Sequence, residues 1–198
     1  MNWSTHNQNT KLMDLPISNT LRYALNWLEE EGNSVGHAID LGAGSGVDSF
    51  GLLEKGWKVT AVDFDANALD LIQKKVEEYG GIDRLNCYST SFEEMVLPAS
   101  DLINASFSLP FCKPEAFERV WSIIYASLRS RGVFCGHFFG KEDSWFPNEN
   151  MIFHDGKDIG RCFEKFDILK IQEINRIGKT LGGKEKHWHV FHIAAVKR

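Results

Sequence analysis

Two aspartates and three glycines are the residues of this chain whose types and spacing most directly imply chemistry. Asp40, Gly42, Gly44 and Gly46 stand in the run Ile39-Asp-Leu-Gly-Ala-Gly-Ser-Gly46, and Asp63 closes the run Trp57-Lys-Val-Thr-Ala-Val-Asp63. Alternate glycines let a backbone bend sharply and lie close to something bulky. A helix starting at the bend points its unpaired N–H groups into the same space. A carboxylate two residues before the first glycine repels a pyrophosphate but attracts an ammonium group. The second acid, 17 residues after Gly46, is placed to bind both hydroxyls of a ribose. The dinucleotide fingerprint asks for G-x-G-x-x-G, and Val47 occupies the place of its third glycine. The spacing therefore favours a cationic, amino-acid-like ligand over a phosphate.

The elements that must position these residues follow from hydrophobic periodicity. Ser18 caps a helix running to about Glu31, with Leu21, Ala24, Leu25 and Leu28 on one face. That helix covers either the ligand cleft or one edge of the sheet, and residues 1–17 wrap the surface or close over the ligand. A short strand precedes the glycines and a second ends at Asp63. A helix follows from Asp65 to about Tyr79, ended by Gly80-Gly81. Further strands are expected at Arg84–Tyr88, Ser100–Ser106 and Val133–Phe139, with a helix opened by Pro114 and running to about Leu128. Ser130-Arg-Gly132 reads as a turn, residues 140–157 as irregular, and Ile159–Phe166 as a short helix. Phe166–Ile177 and Lys186–Val196 read as two long strands around glycines, most simply antiparallel. The whole is an α/β fold: a three-layer, doubly wound, mostly parallel seven-stranded sheet with an antiparallel C-terminal hairpin.

Composition sets the outer limits. A chain of 198 residues with 43% hydrophobic and 25% charged residues fits one ordinary domain spanning 1–198. The net charge of −5 argues against a general nucleic-acid binder. Residues 161–198 nevertheless hold nine Lys/Arg and four Asp/Glu, a local +5. The four cysteines form no C-x-x-C pair and no zinc spacing, so reduced thiols in the cytoplasm are expected. No signal peptide and no apolar run of membrane-spanning length is evident.

In open sheets of this kind, ligands sit beyond the carboxyl ends of the strands where the strand order reverses. That rule collects Asp40 and the glycines, Asp63, Ser91-Phe92, Asn104 to Ser106, and His137. With Ile39-Asp-Leu-Gly-Ala-Gly-Ser-Gly46 and Val62-Asp-Phe-Asp-Ala-Asn-Ala-Leu69, the chain resembles the class I S-adenosylmethionine-dependent methyltransferases over about residues 18–198. The resemblance implies a Rossmann-like sheet whose final strand inserts between strands five and six. It also implies S-adenosylmethionine as cofactor and S-adenosylhomocysteine as product. The backbone of Gly42, Ala43, Gly44 and Gly46 would face the methionine part and ribose, with Asp40 at the strand end. Asp63 would take the ribose hydroxyls and Phe64 one adenine face. Ser91-Phe92 stands where an acid commonly meets the adenine amino group, a contact that Glu93 is the alternative to supply. Asn104 either meets the methionine ammonium or caps a loop.

The stretch Asn104-Ala-Ser-Phe-Ser-Leu-Pro-Phe111 departs from the Asn/Asp-Pro-Pro-aromatic pattern of some amino-group methyltransferases, which disfavours methylation of nucleic-acid bases or protein glutamine. Together with Gly136–Lys141 and Lys186–His192 it resembles the small-molecule branch near the tellurite-resistance and thiopurine methyltransferases. Methyl transfer from a sulfonium is an in-line displacement, for which the protein mainly aligns the groups and excludes water. A soft anion needs no base; an amine or hydroxyl does, and His137 is the best-placed candidate. Phe107, Phe111, Phe139 and Trp145 are candidates for an aromatic acceptor pocket, with core packing as the competing role. His187 and His189 share one strand face, with Trp188 and Val190 on the other. No third metal ligand is apparent beside them, so no metal is expected. Arg176, Lys179, Lys184 and Lys186 read as a solvated hairpin edge, with attraction of an anionic acceptor as the competing role. A nicotinamide-dependent oxidoreductase is the runner-up enzyme class, and a non-catalytic cofactor-binding partner protein is the alternative of another kind. A small-molecule acceptor is expected, with no membrane and no nucleic acid; oligomeric state is not legible.

Overall fold

Strands that are apolar on both sides need helices on both faces, and the chain supplies them. The computed structural model describes residues 15–180 and 182–198, so the expectation that residues 1–17 close over the ligand lies, for residues 1–14, outside the described residues. Helix α1 (Asn19–Glu30) is followed by β1 (His37–Leu41), α2 (Val47–Glu54), β2 (Lys58–Asp63), α3 (Ala66–Tyr79) and β3 (Leu85–Ser89). Then come β4 (Ser100–Ala105), α4 (Phe117–Ser127), β5 (Leu128–Phe139), α5 (Gly156–Cys162), β6 (Phe166–Lys179) and β7 (Glu185–Lys197).

The seven strands form one sheet in the order β3-β2-β1-β4-β5-β7-β6. Pairs among β1 to β5 are parallel, and β7 pairs antiparallel with both β5 and β6. From β1 the chain steps outward to β2 and β3, then returns to place β4 on the other side of β1. The order therefore reverses between β1 and β4, which opens a crevice at their carboxyl ends.

Alternation along the strands divides the core into two layers. On one face Ala38, Val59, Ala61, Leu102, Val133, Cys135 and Ala194 pack under Leu21, Leu25 and Leu28 of α1, Leu52 of α2, and Leu69, Ile72 and Val76 of α3. On the other, Ile39, Leu41, Ile103, Phe134, Phe138 and Ile193 meet Phe117, Val120 and Ile124 of α4 and Ile159 of α5. Helix α1 packs on the first of these faces, across β5 and β7, rather than along an edge of the sheet. Its cap is as expected: the Ser18 hydroxyl accepts the N–H of Leu21.

Four local expectations are corrected. Strand β5 begins at Leu128, and the Ser130–Gly132 turn survives inside it as an irregularity, with Leu128 opposite Ser100 and Val133 opposite Leu102. Arg131 takes a left-handed φ of 64° there. Helix α5 starts at Gly156, because Asp155 and Asp158 form a reciprocal capping box that the periodicity alone does not weigh. Pro114 opens a short 3-10 turn to Ala116 before α4. Lys186 is not on a solvated edge. Its side chain is buried and ion-paired with Asp143, and its ammonium lies 4.0 Å from the Trp188 ring centroid and 4.3 Å from that of Trp145.

Candidate active site

The glycine bend is shaped by what packs against it. Gly42, Gly44 and Gly46 have φ of 70°, 53° and 85°, a region in which a Cβ meets the following carbonyl. A Cβ on Gly42 would strike the Ser108 side chain, and one on Gly46 would lie 2.6 Å from Cγ1 of Ile72. The N–H groups of Gly42 and Ala43 both donate to the Val62 carbonyl, at 2.7 and 3.0 Å, tying the bend to β2. Gly42 to Ser45 remain partly exposed while Gly46 is buried. The bend thus offers open backbone at the switch point.

Asp63 forms the adjoining wall. Its Oδ2 accepts the Gly44 N–H at 2.8 Å and its Oδ1 the Asp65 N–H at 3.0 Å. A carboxylate oxygen has two acceptor positions, so each keeps one for a ligand hydroxyl. Phe64, the next residue, is 66% exposed and presents an apolar ring beside that carboxylate. Thr90 donates its N–H to the Asp63 carbonyl at 3.0 Å, which brings the Ser91-Phe92 turn to the same rim. Phe92 packs against the core.

Asp40 and Asn104 lie deeper than their spacing implies. Asp40 is 2% exposed, with Ser49 Oγ donating to its Oδ2 at 2.6 Å and Asn104 Nδ2 to its Oδ1 at 2.8 Å. The same Asn104 amide also donates to Asp48 Oδ2 at 2.9 Å, and the Ser18 N–H donates to Asp48 Oδ1 at 2.7 Å. Asn104 is therefore neither a loop cap nor a rim group; it bridges two buried carboxylates beneath the bend. Burial, and then the neighbouring Asp48 charge, push the Asp40 carboxyl up to about 7. Buried beneath the bend, it reaches a ligand ammonium through its field rather than by direct contact.

On the other side of the crevice, Ser106 and Phe107 leave β4 beside the end of β5. Phe107 has φ of 52°, an uncommon conformation for an aromatic residue, and its ring stacks on His137 with centroids 4.0 Å apart. His137 is 1% exposed. Its Nδ1 accepts the Phe107 N–H at 3.3 Å, and its Nε2 lies 3.1 Å from His192 Nδ1. Burial and His192 hold His137 well below the usual imidazole value. The expected role of His137 as a base facing the acceptor is corrected accordingly: its lone pair is spent on the backbone, beneath a phenyl ring.

The four expected pocket aromatics separate. Phe107 is 42% exposed, whereas Phe139 is 1% exposed and packs behind the pocket. Phe111 and Trp145 flank Phe139 with centroids 6.3 and 5.6 Å away. Trp188, half-buried, sits edge-on to Phe107 at 6.4 Å. His187 and His189 occupy the opposite face of β7, bonded to Asn175 and Glu173 of β6 at 2.6 and 2.7 Å. Among the described residues no group of three His, Cys, Asp or Glu is arranged to hold a metal.

Sequence reasoning missed Asp48, Ser49, Ser108, Trp188 and His192 as site residues. Asp48 reads as an ordinary first-turn acid of a helix, and nothing local marks Ser49 or Ser108. Trp188 and His192 carried a usable signal. Period-two alternation along β7 places both on the face turned toward His137.

A methyltransferase domain family matches residues 38–132. Over 77 residues the chain is 32% identical to the release factor glutamine methyltransferase of Thermosynechococcus vestitus, covering 38% of this chain and 26% of that protein. The chain thus spans about a quarter of the length of that curated relative. TehB from Haemophilus influenzae superimposes with a TM-score of 0.73 at 15% identity, over 86% of this chain and 60% of TehB. The 1,6-didemethyltoxoflavin-N1-methyltransferase of Burkholderia thailandensis, solved with 1,6-didemethyltoxoflavin and S-adenosylhomocysteine bound, gives 0.68 at 21% identity over 98% of this chain and 84% of that one. Magnesium protoporphyrin IX methyltransferase from Synechocystis PCC 6803, also with S-adenosylhomocysteine, gives 0.70 at 16% identity over 100% and 95%. The fold is that of the S-adenosylmethionine-dependent methyltransferases, and the stretch that the methyltransferase domain family matches, residues 38–132, holds the glycine bend and both strand-end acids.

Proposed function

We propose that this chain transfers a methyl group from S-adenosylmethionine to a small-molecule acceptor and releases S-adenosylhomocysteine. The observation that carries this reading is the rim formed by the open Gly42–Ser45 backbone, the half-satisfied Asp63 carboxylate and the exposed Phe64 ring. Those groups suit a ribose diol beside a flat base, and the strand-end acids suit positive charge. When bound, the cofactor supplies an activated methyl group on a sulfonium. The chain's own part is to hold the nucleoside on Asp63, Phe64 and the Ser91-Phe92 turn. Gly42, Ala43 and Gly44 give it open backbone above the buried Gly46, and Asp40 and Asp48, bridged by Asn104, add buried negative charge beneath.

A small-molecule acceptor in the branch near the tellurite-resistance and thiopurine methyltransferases is supported by the aromatic character of the crevice wall at Phe107 and Trp188. The curated relative from Thermosynechococcus vestitus methylates a glutamine by name. Its likeness covers little of either chain, and Asn104-Ala-Ser-Phe107 lacks the proline pair described above. A cytoplasmic location is supported by four unpaired cysteines, and no helix among the described residues is long and apolar enough to cross a membrane. Calorimetry with S-adenosylhomocysteine, followed by a turnover assay on thiols, oxyanions and amines, tests the proposal. Binding with turnover is expected. Binding without turnover on any of them favours a non-catalytic partner protein, and a preference for a nicotinamide dinucleotide overturns the reading.

A further inference from the structure

The three groups Phe107, His137 and His192 form a chain whose direction is fixed at one end. The Phe107 backbone nitrogen can only donate, so His137 Nδ1 is an acceptor and its proton resides on Nε2. That proton faces Nδ1 of His192 at 3.1 Å, which must then be bare, leaving the His192 proton on Nε2. Reversing the arrangement would set two N–H groups against each other in a buried contact. Nε2 of His192 has no hydrogen-bond partner among the described residues. The half-buried imidazole stands edge-on to Phe107 with centroids 6.1 Å apart, on the strand face that also carries Trp188.

On the β6 side of this face the charges have one sign, whereas Lys186 on β7 is paired with Asp143. Gln172 is opposite His192 and Arg176 opposite Trp188, and Lys170 follows on the same face of β6. The Lys186 ammonium backs the Trp188 ring at 4.0 Å. The β6 residues turned to this side, Lys170, Gln172, Ile174 and Arg176, include no acid. An otherwise acidic protein therefore presents donors and cations to the β6 side of this pocket.

Building on the methyltransferase reading, we propose that the Phe107–His137–His192 chain makes His192 a fixed hydrogen-bond donor in the acceptor pocket, and that the acceptor is a flat, electron-rich anion whose nucleophilic atom arrives already deprotonated. Phe107 and Trp188 supply the aromatic walls, and His192 Nε2–H binds an oxygen, nitrogen or sulfur of the acceptor other than the attacking lone pair. That lone pair forms the new bond to the methyl carbon as the carbon–sulfur bond breaks and its electron pair stays on sulfur. The anionic acceptor ends neutral, so no proton is left for a protein base to remove.

Histidine-selective nitrogen labelling and long-range proton–nitrogen spectra of the full chain read both tautomers without any acceptor. From about pH 6 to pH 8, His137 and His192 are each expected as the neutral form protonated at Nε2. A His192 proton on Nδ1, or an imidazolium at neutral pH, overturns the proposal. Added thiophenolate, with S-adenosylhomocysteine present, is expected to shift the His192 Nε2–H resonance. An equal or larger response to neutral aniline, or none to either, counts against it. His192→Phe is expected to weaken thiophenolate binding by at least about tenfold, and unchanged binding removes His192 from the pocket. Calorimetry of S-adenosylhomocysteine alone separates the two levels: its failure to bind defeats the methyltransferase reading, while binding with the wrong tautomer defeats only this one.

Discussion

Asp63 does two jobs with one carboxylate: it holds the bend through Gly44 and the helix entry through Asp65, and it keeps an acceptor position on each oxygen. Asp63→Ala is expected to weaken S-adenosylhomocysteine binding by about 1.5–3 kcal/mol, the range for hydrogen bonds to charged groups. Unchanged affinity in calorimetry would remove Asp63 from the site. Asp40 acts at longer range. With its carboxyl raised to about 7 by burial and by Asp48, it is mostly protonated below that pH and charged above it. A cation bound over the bend favours the charged form, so affinity for S-adenosylmethionine is expected to rise with pH. Between about pH 6 and pH 8 the ionised fraction grows roughly tenfold, which bounds the effect. Asp40→Asn is expected to flatten this dependence; a wild-type affinity independent of pH would show that Asp40 is not felt at the site. In the free protein the sign is opposite. A raised carboxyl contributes stability below its unfolded value, and this is lost as pH climbs through about 7.

At the scale of elements, the β6–β7 hairpin and the loop after β5 are joined by one buried ion pair. Asp143 accepts from the Lys186 ammonium, from the His189 N–H at 3.2 Å and from the Trp145 N–H at 3.0 Å. Burial pushes the lysine down from its usual value and the pair with Asp143 pulls it back. Lys186→Ala leaves Asp143 buried and without its cation, so a loss of about 3–5 kcal/mol is expected in urea unfolding. Replacing both partners by apolar residues is expected to recover most of it. A single variant as stable as the parent would show that the pair contributes nothing. The loop matters because Trp145, Phe139 and Trp188 meet there behind Phe107, so its loosening is expected to reach the acceptor wall first. Hairpin, loop and wall depend on contacts between residues about 43 positions apart, and no local periodicity encodes them.

At the scale of the molecule, the crevice is made by strand order, and a ligand that fills it should stabilise the whole fold. S-adenosylhomocysteine at a hundredfold excess over its Kd is expected to add about 2.7 kcal/mol. For a chain of this size that corresponds to a rise in Tm of roughly 5–10 °C; a shift with a nicotinamide dinucleotide and none with S-adenosylhomocysteine would reverse the assignment of the crevice. Much of this architecture was legible in the residues. Short apolar strands, amphipathic helices with glycine stops, and the Asp40–Gly46 and Asp63 spacing are local patterns, written over a few consecutive positions, and they determined the doubly wound sheet and the rim of the candidate cofactor site. Only the tertiary structure decided that Asn104 bridges Asp40 to Asp48 across 64 and 56 positions, that Phe107 covers His137, and that Lys186 is buried. Those outcomes turn on burial depth and on which side chain satisfies which, quantities set by distant strands closing on one another, whereas periodicity reports only the face on which a residue stands.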